Sequence, residues 1–144
     1  MNLHTSQTNW DNLAREDAMF VILSRKEKRG GKWRKEEFFR TGEEEVSRDL
    51  RYIKQLGTPF HFKRALDFGC GIGRLTQALA GGRFAEAHGV DVSPEMIHMA
   101  RKYNHFPDTC MYHASADNAL AIFPDGYFDF IYSKITLQHI RPEY

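Results

Sequence analysis

The chain has 144 residues, 42% hydrophobic and 27% charged, with a net charge of +1. That length supports at most one domain, burying about two thirds of its unfolded surface; the composition excludes disorder, and the near-zero charge excludes a global field recruiting nucleic acid or a membrane. Two cysteines, Cys70 and Cys110, without CxxC spacing exclude a disulfide framework and suit buried thiols of a cytoplasmic protein, and neither a signal peptide nor a membrane-length apolar run is expected.

The first sixty residues read as helix, basic loop, helix. Trp10, Leu13, Ala14, Ala18, Val21 and Ile22 recur at three- and four-residue spacing, as a half-buried helix requires. Residues 25–35 hold seven basic residues, one acid and the Gly30–Gly31 break. This loop suits either phosphate contact with Trp33 free to stack, or a solvated connector offset by the downstream glutamates. A second helix is expected to open at Thr41-Gly42-Glu43-Glu44, a capping-box pattern, and to run along Val46, Leu50, Ile53 and Leu56 to a stop at Gly57–Pro59.

From residue 63 strands and helices alternate. Strand 64–69 leads into a helix from about Gly73 to Ala80, and strand 86–92 leads into a helix capped by Ser93 with Pro94 at its first position. That helix turns Met96, Ile97, Ala100 and Tyr103 inward. Strand 110–115 follows, then a turn at Pro124-Asp125-Gly126 and a fourth strand over 127–133, apolar enough for burial on both faces. The alternation predicts an α/β, Rossmann-like parallel sheet of order 3-2-1-4 with flanking helices and right-handed crossovers. The expected division is a helical segment over 1–62 and a sheet-bearing part over 63–144.

The stretch Asp67-Phe68-Gly69-Cys70-Gly71-Ile72-Gly73 carries the chemistry. Glycines in a strand-to-helix turn let a ligand lie on the backbone. The dinucleotide spacing is GxGxxG; GxGxG lacks its phosphate-receiving register, and Asp67 two residues ahead suits a cationic ligand. Arg74 opposes the helix dipole, so it either turns to solvent or pairs with an anion such as a ligand carboxylate. Asp91 ends the second strand, where a carboxylate accepts from ribose hydroxyls or, alternatively, caps the next helix. Asp117 could accept from an adenine amine above Met96, or cap a short helix over 118–123.

LDFGCGIGRLT, GVDVSPEMIHMAR, SADN and FDFIYSKITLQHI, in this order over residues 64–141, resemble motifs of the class I S-adenosylmethionine-dependent methyltransferases, and the lead over 30–46 resembles a bacterial branch of them. The resemblance implies S-adenosylmethionine as cofactor. Gly69 and Gly71 would line its methionine portion, Asp67 approach its ammonium, Asp91 hold the ribose, Met96 pack on the adenine, Asp117 bond the amine and Ser133 lie near the sulfonium. The implied chemistry is in-line attack by an acceptor on the sulfonium methyl, with His139 as the candidate base or simply a packed histidine. By elimination the acceptor is expected to be a small molecule rather than nucleic acid.

The family sheet has seven strands, and only the first four are legible here, so its C-terminal strands are expected to be missing. The fourth strand would then be an exposed edge open to self-association. A fragment of a longer enzyme, a sheet completed by a second copy or partner, and a stable miniature are the three expectations. The alternatives by function are a non-catalytic cofactor-binding module, an NAD-dependent oxidoreductase disfavoured by GxGxG, and an RNA-binding protein using the basic loop.

Overall fold

The computed structural model describes residues 3–59, 61–81, 83–116 and 120–140. Two helices, α1 (Leu3–Ile22) and α2 (Lys35–Gln55), precede four strands: β1 (Arg64–Phe68), β2 (Glu86–Asp91), β3 (Cys110–Ala114) and β4 (Phe130–Tyr132). Helices α3 (Arg74–Ala80) and α4 (Pro94–Lys102) connect β1 to β2 and β2 to β3. The sheet is wholly parallel in the order β3-β2-β1-β4, the Rossmann-like 3-2-1-4 arrangement expected. Because β1, β2 and β3 step in one direction, both right-handed crossovers put α3 and α4 on the same face.

The registers sort the side chains. Ala65, Ala87, Cys110 and Tyr112 share one face with Phe130 and Tyr132 and pack under Leu75, Leu79, Ile97 and Ala100, with Val46 and Leu50 of α2 on the outside. Small strand residues let α3 sit close to the sheet. Leu66, His88, Met111, His113 and Ile131 occupy the opposite face, over which the β3–β4 connection lays Phe123, Tyr127 and Phe128 against His88.

Three local expectations are corrected. Helix α2 starts at Lys35 rather than Thr41, whose hydroxyl donates within the helix to the Phe38 carbonyl. Glu36 and Glu37 supply negative charge at the true start, and Gly42 is bare because a Cβ there would strike the Arg74 carbonyl. The fourth strand is three residues long and half covered, with Ile131 65% exposed, because Tyr127 and Phe128 leave the strand path to cover His88. Residues 120–123 are not helical. The Ser93–Pro94 start stands as expected, Ser93 Oγ accepting from Met96 N at 3.1 Å.

The α1 helix breaks at Asp17, where φ is −163° and ψ 76°. Its carboxylate accepts from Phe20 N at 3.3 Å, starting the second half of the helix, and from Gly31 N at 2.8 Å, holding the basic loop. Trp33 is not free to stack. It is buried against Phe38, donates to the Leu23 carbonyl, and carries Arg25 and Lys28 over its ring. Lys28 in turn pairs with Glu37.

Candidate functional site

At the carboxyl end of β1 the chain enters a turn in which Gly69, Gly71 and Gly73 all have positive φ, at 77°, 52° and 83°. The left-handed region favours glycine. The turn is fastened to β2: Gly69 N and Cys70 N donate to the Val90 carbonyl at 2.8 and 3.0 Å, and Gly71 N donates to Asp91 Oδ2 at 2.8 Å. The other Asp91 oxygen accepts from Ser93 N at 2.9 Å. The carboxylate is thus oriented by backbone N–H donors while it lines the cavity, where it can still accept from a ligand hydroxyl. Burial pushes the Asp91 carboxyl above its ordinary range, against these backbone donors.

Above this turn lies a cavity of about 280 Å³, near the lower end of the roughly 300–1,000 Å³ usual for small-molecule sites. Its floor is Phe68, Gly69, Gly71, Val90, Asp91 and Met96, the ends of β1 and β2 with the first turn of α4. Trp10 and Ile22 of α1 close one side; Lys134, Thr136 and His139 close another. A Cβ on Gly69 would collide with Thr136, and one on Gly71 with Ile22. The absent side chains thus bring both walls down onto the turn.

Of the residues singled out in the sequence, Gly69, Gly71, Asp91, Met96 and His139 meet at this cavity. His139 sits in a 3-10 turn, Leu137–His139, edge-on to Trp10 at 5.3 Å and 3.1 Å from the Gln138 amide nitrogen. Asp67 and Ser133 lie just outside. Ser133 Oγ donates to the Phe68 carbonyl at 3.1 Å, holding the end of β4 beside the turn. Asp67 faces α3, the side opposite Phe68, and accepts from Thr76 Oγ1 at 2.7 Å. Its burial raises the carboxyl to about 7. Asp117 falls outside the described residues.

Of the two expectations for Arg74, pairing with an anion holds, but the anion is not a ligand's. It neither turns to solvent nor faces the cavity, but is 4% exposed and donates to Glu45 at 2.9 Å and Thr41 at 3.2 Å on α2. The anion it meets belongs to the chain itself, and the pair ties α2 to the start of α3. Glu45 takes a second cation, Lys134 Nζ, at 2.8 Å. Burial pushes Glu45 up, yet Lys134 and Arg74 together hold it below the usual carboxylate range.

Trp10, Ile22, Lys134 and Thr136 are not singled out in the sequence as site residues. Lys134 and Thr136 lie within three residues of Ser133, so their nearness to the glycine turn was available from strand order; Trp10 and Ile22 carried only the periodicity of a half-buried helix.

Comparison with known proteins adds a family and a set of relatives. A family model described as a methyltransferase domain matches residues 66–144, more than half of the chain. Phosphoethanolamine N-methyltransferase 2 of Caenorhabditis elegans is 30% identical over 93 residues, 64% of this chain. The chain spans about a fifth, 21%, of that relative. Among solved structures, magnesium protoporphyrin IX methyltransferase from Synechocystis PCC 6803, with bound S-adenosylhomocysteine, superimposes with a TM-score of 0.59 at 18% identity, over 94% of this chain and 59% of that one, a likeness of fold. Phosphoethanolamine N-methyltransferase 2 of Haemonchus contortus, in complex with phosphomonomethylethanolamine and S-adenosylhomocysteine, gives 0.51 at 27% identity, over 67% of this chain and 23% of that one.

Proposed function

From the premise that this chain belongs to the methyltransferase-domain family, whose cofactor is S-adenosylmethionine, we propose that it binds that cofactor in the cavity above Gly69–Gly73 and serves methyl transfer to a small-molecule acceptor. The observation carrying this reading is the pairing of a bare, positive-φ glycine turn with an Asp91 carboxylate that lines the cavity beside an apolar floor. A ribose with two hydroxyl donors and a flat base matches that acceptor and apolar floor; a pyrophosphate does not, and the nicotinamide alternative is set aside with it.

The cofactor supplies an electrophilic methyl on a sulfonium. The chain's share is binding, orientation and exclusion of water. Asp91 accepts from the ribose, Met96 supports the base, and the walls carrying Ile22 and Thr136 press on the turn from above. His139, at the rim beside Trp10, is the candidate base for an acceptor that must lose a proton. We take residues 1–62 as the helical lead and 63–144 as the sheet-bearing part, and place the protein in the cytoplasm on the strength of its two buried free thiols. Among the described residues, no helix is long and apolar enough to cross a membrane.

Calorimetric titration with S-adenosylmethionine and S-adenosylhomocysteine tests the reading. Micromolar binding, weakened at least about tenfold in Asp91→Asn, is the expected result, since hydrogen bonds to a charged acceptor are worth about 1.5–3 kcal/mol. A folded chain that binds neither compound overturns it.

A further inference from the structure

Around Glu45 the charges do not balance. One carboxylate, mostly buried, faces two cations: Arg74 at 2.9 Å and Lys134 at 2.8 Å. The next acid along α2, Asp49, is already engaged by Arg48 at 2.9 Å and by the Tyr132 hydroxyl. Asp67 lies on the other side of Arg74, and burial keeps that carboxyl only partly ionised near neutrality. The Glu45–Arg74–Lys134 cluster thus carries an excess of positive charge, and its solvent-facing member is Lys134. Arg74 is sealed between α2 and α3, whereas the Lys134 side chain is 42% exposed and lines the cavity. Among the described residues lining that cavity it is the one lysine or arginine.

The backbone puts this ammonium close to the turn. Ser133, one residue before, donates to the Phe68 carbonyl, and Thr136, two residues after, lies against the bare face of Gly69. Lys134 is therefore carried past the mouth of the glycine turn, its amino group drawn back onto α2 by Glu45. When Lys134 leaves, Glu45 keeps Arg74 as its counter-charge on Oε2, and the partly exposed lysine stem can swing toward the cavity.

We propose that Lys134 is the carboxylate anchor of this site: it exchanges Glu45 for the α-carboxylate of the cofactor's amino-acid portion, which neutralises the excess cation of the Glu45–Arg74–Lys134 cluster. The inference rests on the reading of the cavity as an S-adenosylmethionine site. It assigns to Lys134 the anion-pairing role that the sequence left open for Arg74.

The test is calorimetric titration of the wild-type chain, Lys134→Met and Lys134→Arg with two probes. S-adenosylhomocysteine carries the carboxylate; 5′-methylthioadenosine shares the adenosine and lacks the amino-acid portion. The expected result is that Lys134→Met weakens S-adenosylhomocysteine about tenfold or more, leaves 5′-methylthioadenosine unchanged, and is rescued by Lys134→Arg. Equal weakening of both probes marks general damage to the cavity and overturns the proposal, as does unchanged affinity for both. If the folded wild type binds neither probe, the cofactor reading itself fails; if it binds both and the variants do not differ, only the assignment of Lys134 fails.

Discussion

The two faces of the sheet are built from the same strands and held by different means. One is closed by helices over small and aliphatic side chains, with Asp67 the acid it encloses among them. The other is closed by an irregular connection whose aromatic rings surround two histidines. His88 and His113 stack 5.4 Å apart with Nδ1 and Nε2 at 3.1 Å, and His88 reaches Glu86 at 3.3 Å, which also holds Arg64. Helical cover excludes water from backbone already paired with itself. Loop cover leaves polar side chains to be satisfied one by one, and it stops short of Ile131. The same difference sets the response to protons, and in opposite directions.

The largest contrast is in packing. Leu79→Ala on the helical face, where the side chain is fully buried, is expected to cost about 2–5 kcal/mol in urea unfolding. Ile131→Ala on the open face is expected to stay within about 0.5 kcal/mol. Equal costs would mean that Ile131 is covered in solution and the contrast is false.

Next comes Asp67. Its folded-state carboxyl, at about 7, lies above its ordinary 3.8, so between these values the folded chain keeps a proton that the unfolded chain has lost. Stability must fall as pH rises through that window, by up to about 4 kcal/mol, with the loss complete above pH 7. Thermal midpoints of Asp67→Asn at pH 5 and pH 8 should show this decline removed; an unchanged decline would place its source elsewhere.

The smallest effect belongs to the histidines. Burial lowers both His88 and His113, the first against the raising influence of Glu86 and the second reinforced by His88 and Arg101. Depressed bases contribute stability that is present above the ordinary histidine value of 6.5 and lost as pH falls below it. Arg64 also faces His88, and Tyr127 packs edge-on against it. In His113→Gln the acid-side fall in midpoint should become shallower, while the Asp67 decline persists. If His113→Gln instead abolished the Asp67 decline, the separation of the two faces would fail.

How much was legible follows the range of each interaction. The glycine turn, the Ser93–Pro94 start and the parallel order depend on neighbours in sequence, and all were readable. The Thr41 capping-box pattern was also local but misleading, because Lys35–Arg40 already continue the helix and Gly42 serves contact with Arg74. Arg74 could not be placed by spacing: its partner Glu45 lies 29 residues earlier, on a helix whose docking depends on the folded sheet. The His88–His113 contact spans 25 residues and two strands, and nothing in either segment announces it. Within the candidate site, residues on the strand ends were legible, whereas those on the walls needed the approach of α1 and the segment after β4.

One contact at the far end of α1 changes how the N-terminal helix should be regarded. The Asp11 carboxylate accepts from Ser93 Oγ and, at 3.2 Å, from Glu95 N, while Ser93 itself caps Met96 N. The first turn of α4, which carries the cavity floor at Met96, is completed by a side chain more than eighty residues away. A protease that nicks the chain between Asp11 and the Asp17 break would therefore do more than trim a surface helix. It would separate the cap from the body of the protein and leave donors at the α4 start to water, so resistance of α1 to limited digestion is a direct reading of whether the floor of the site is intact.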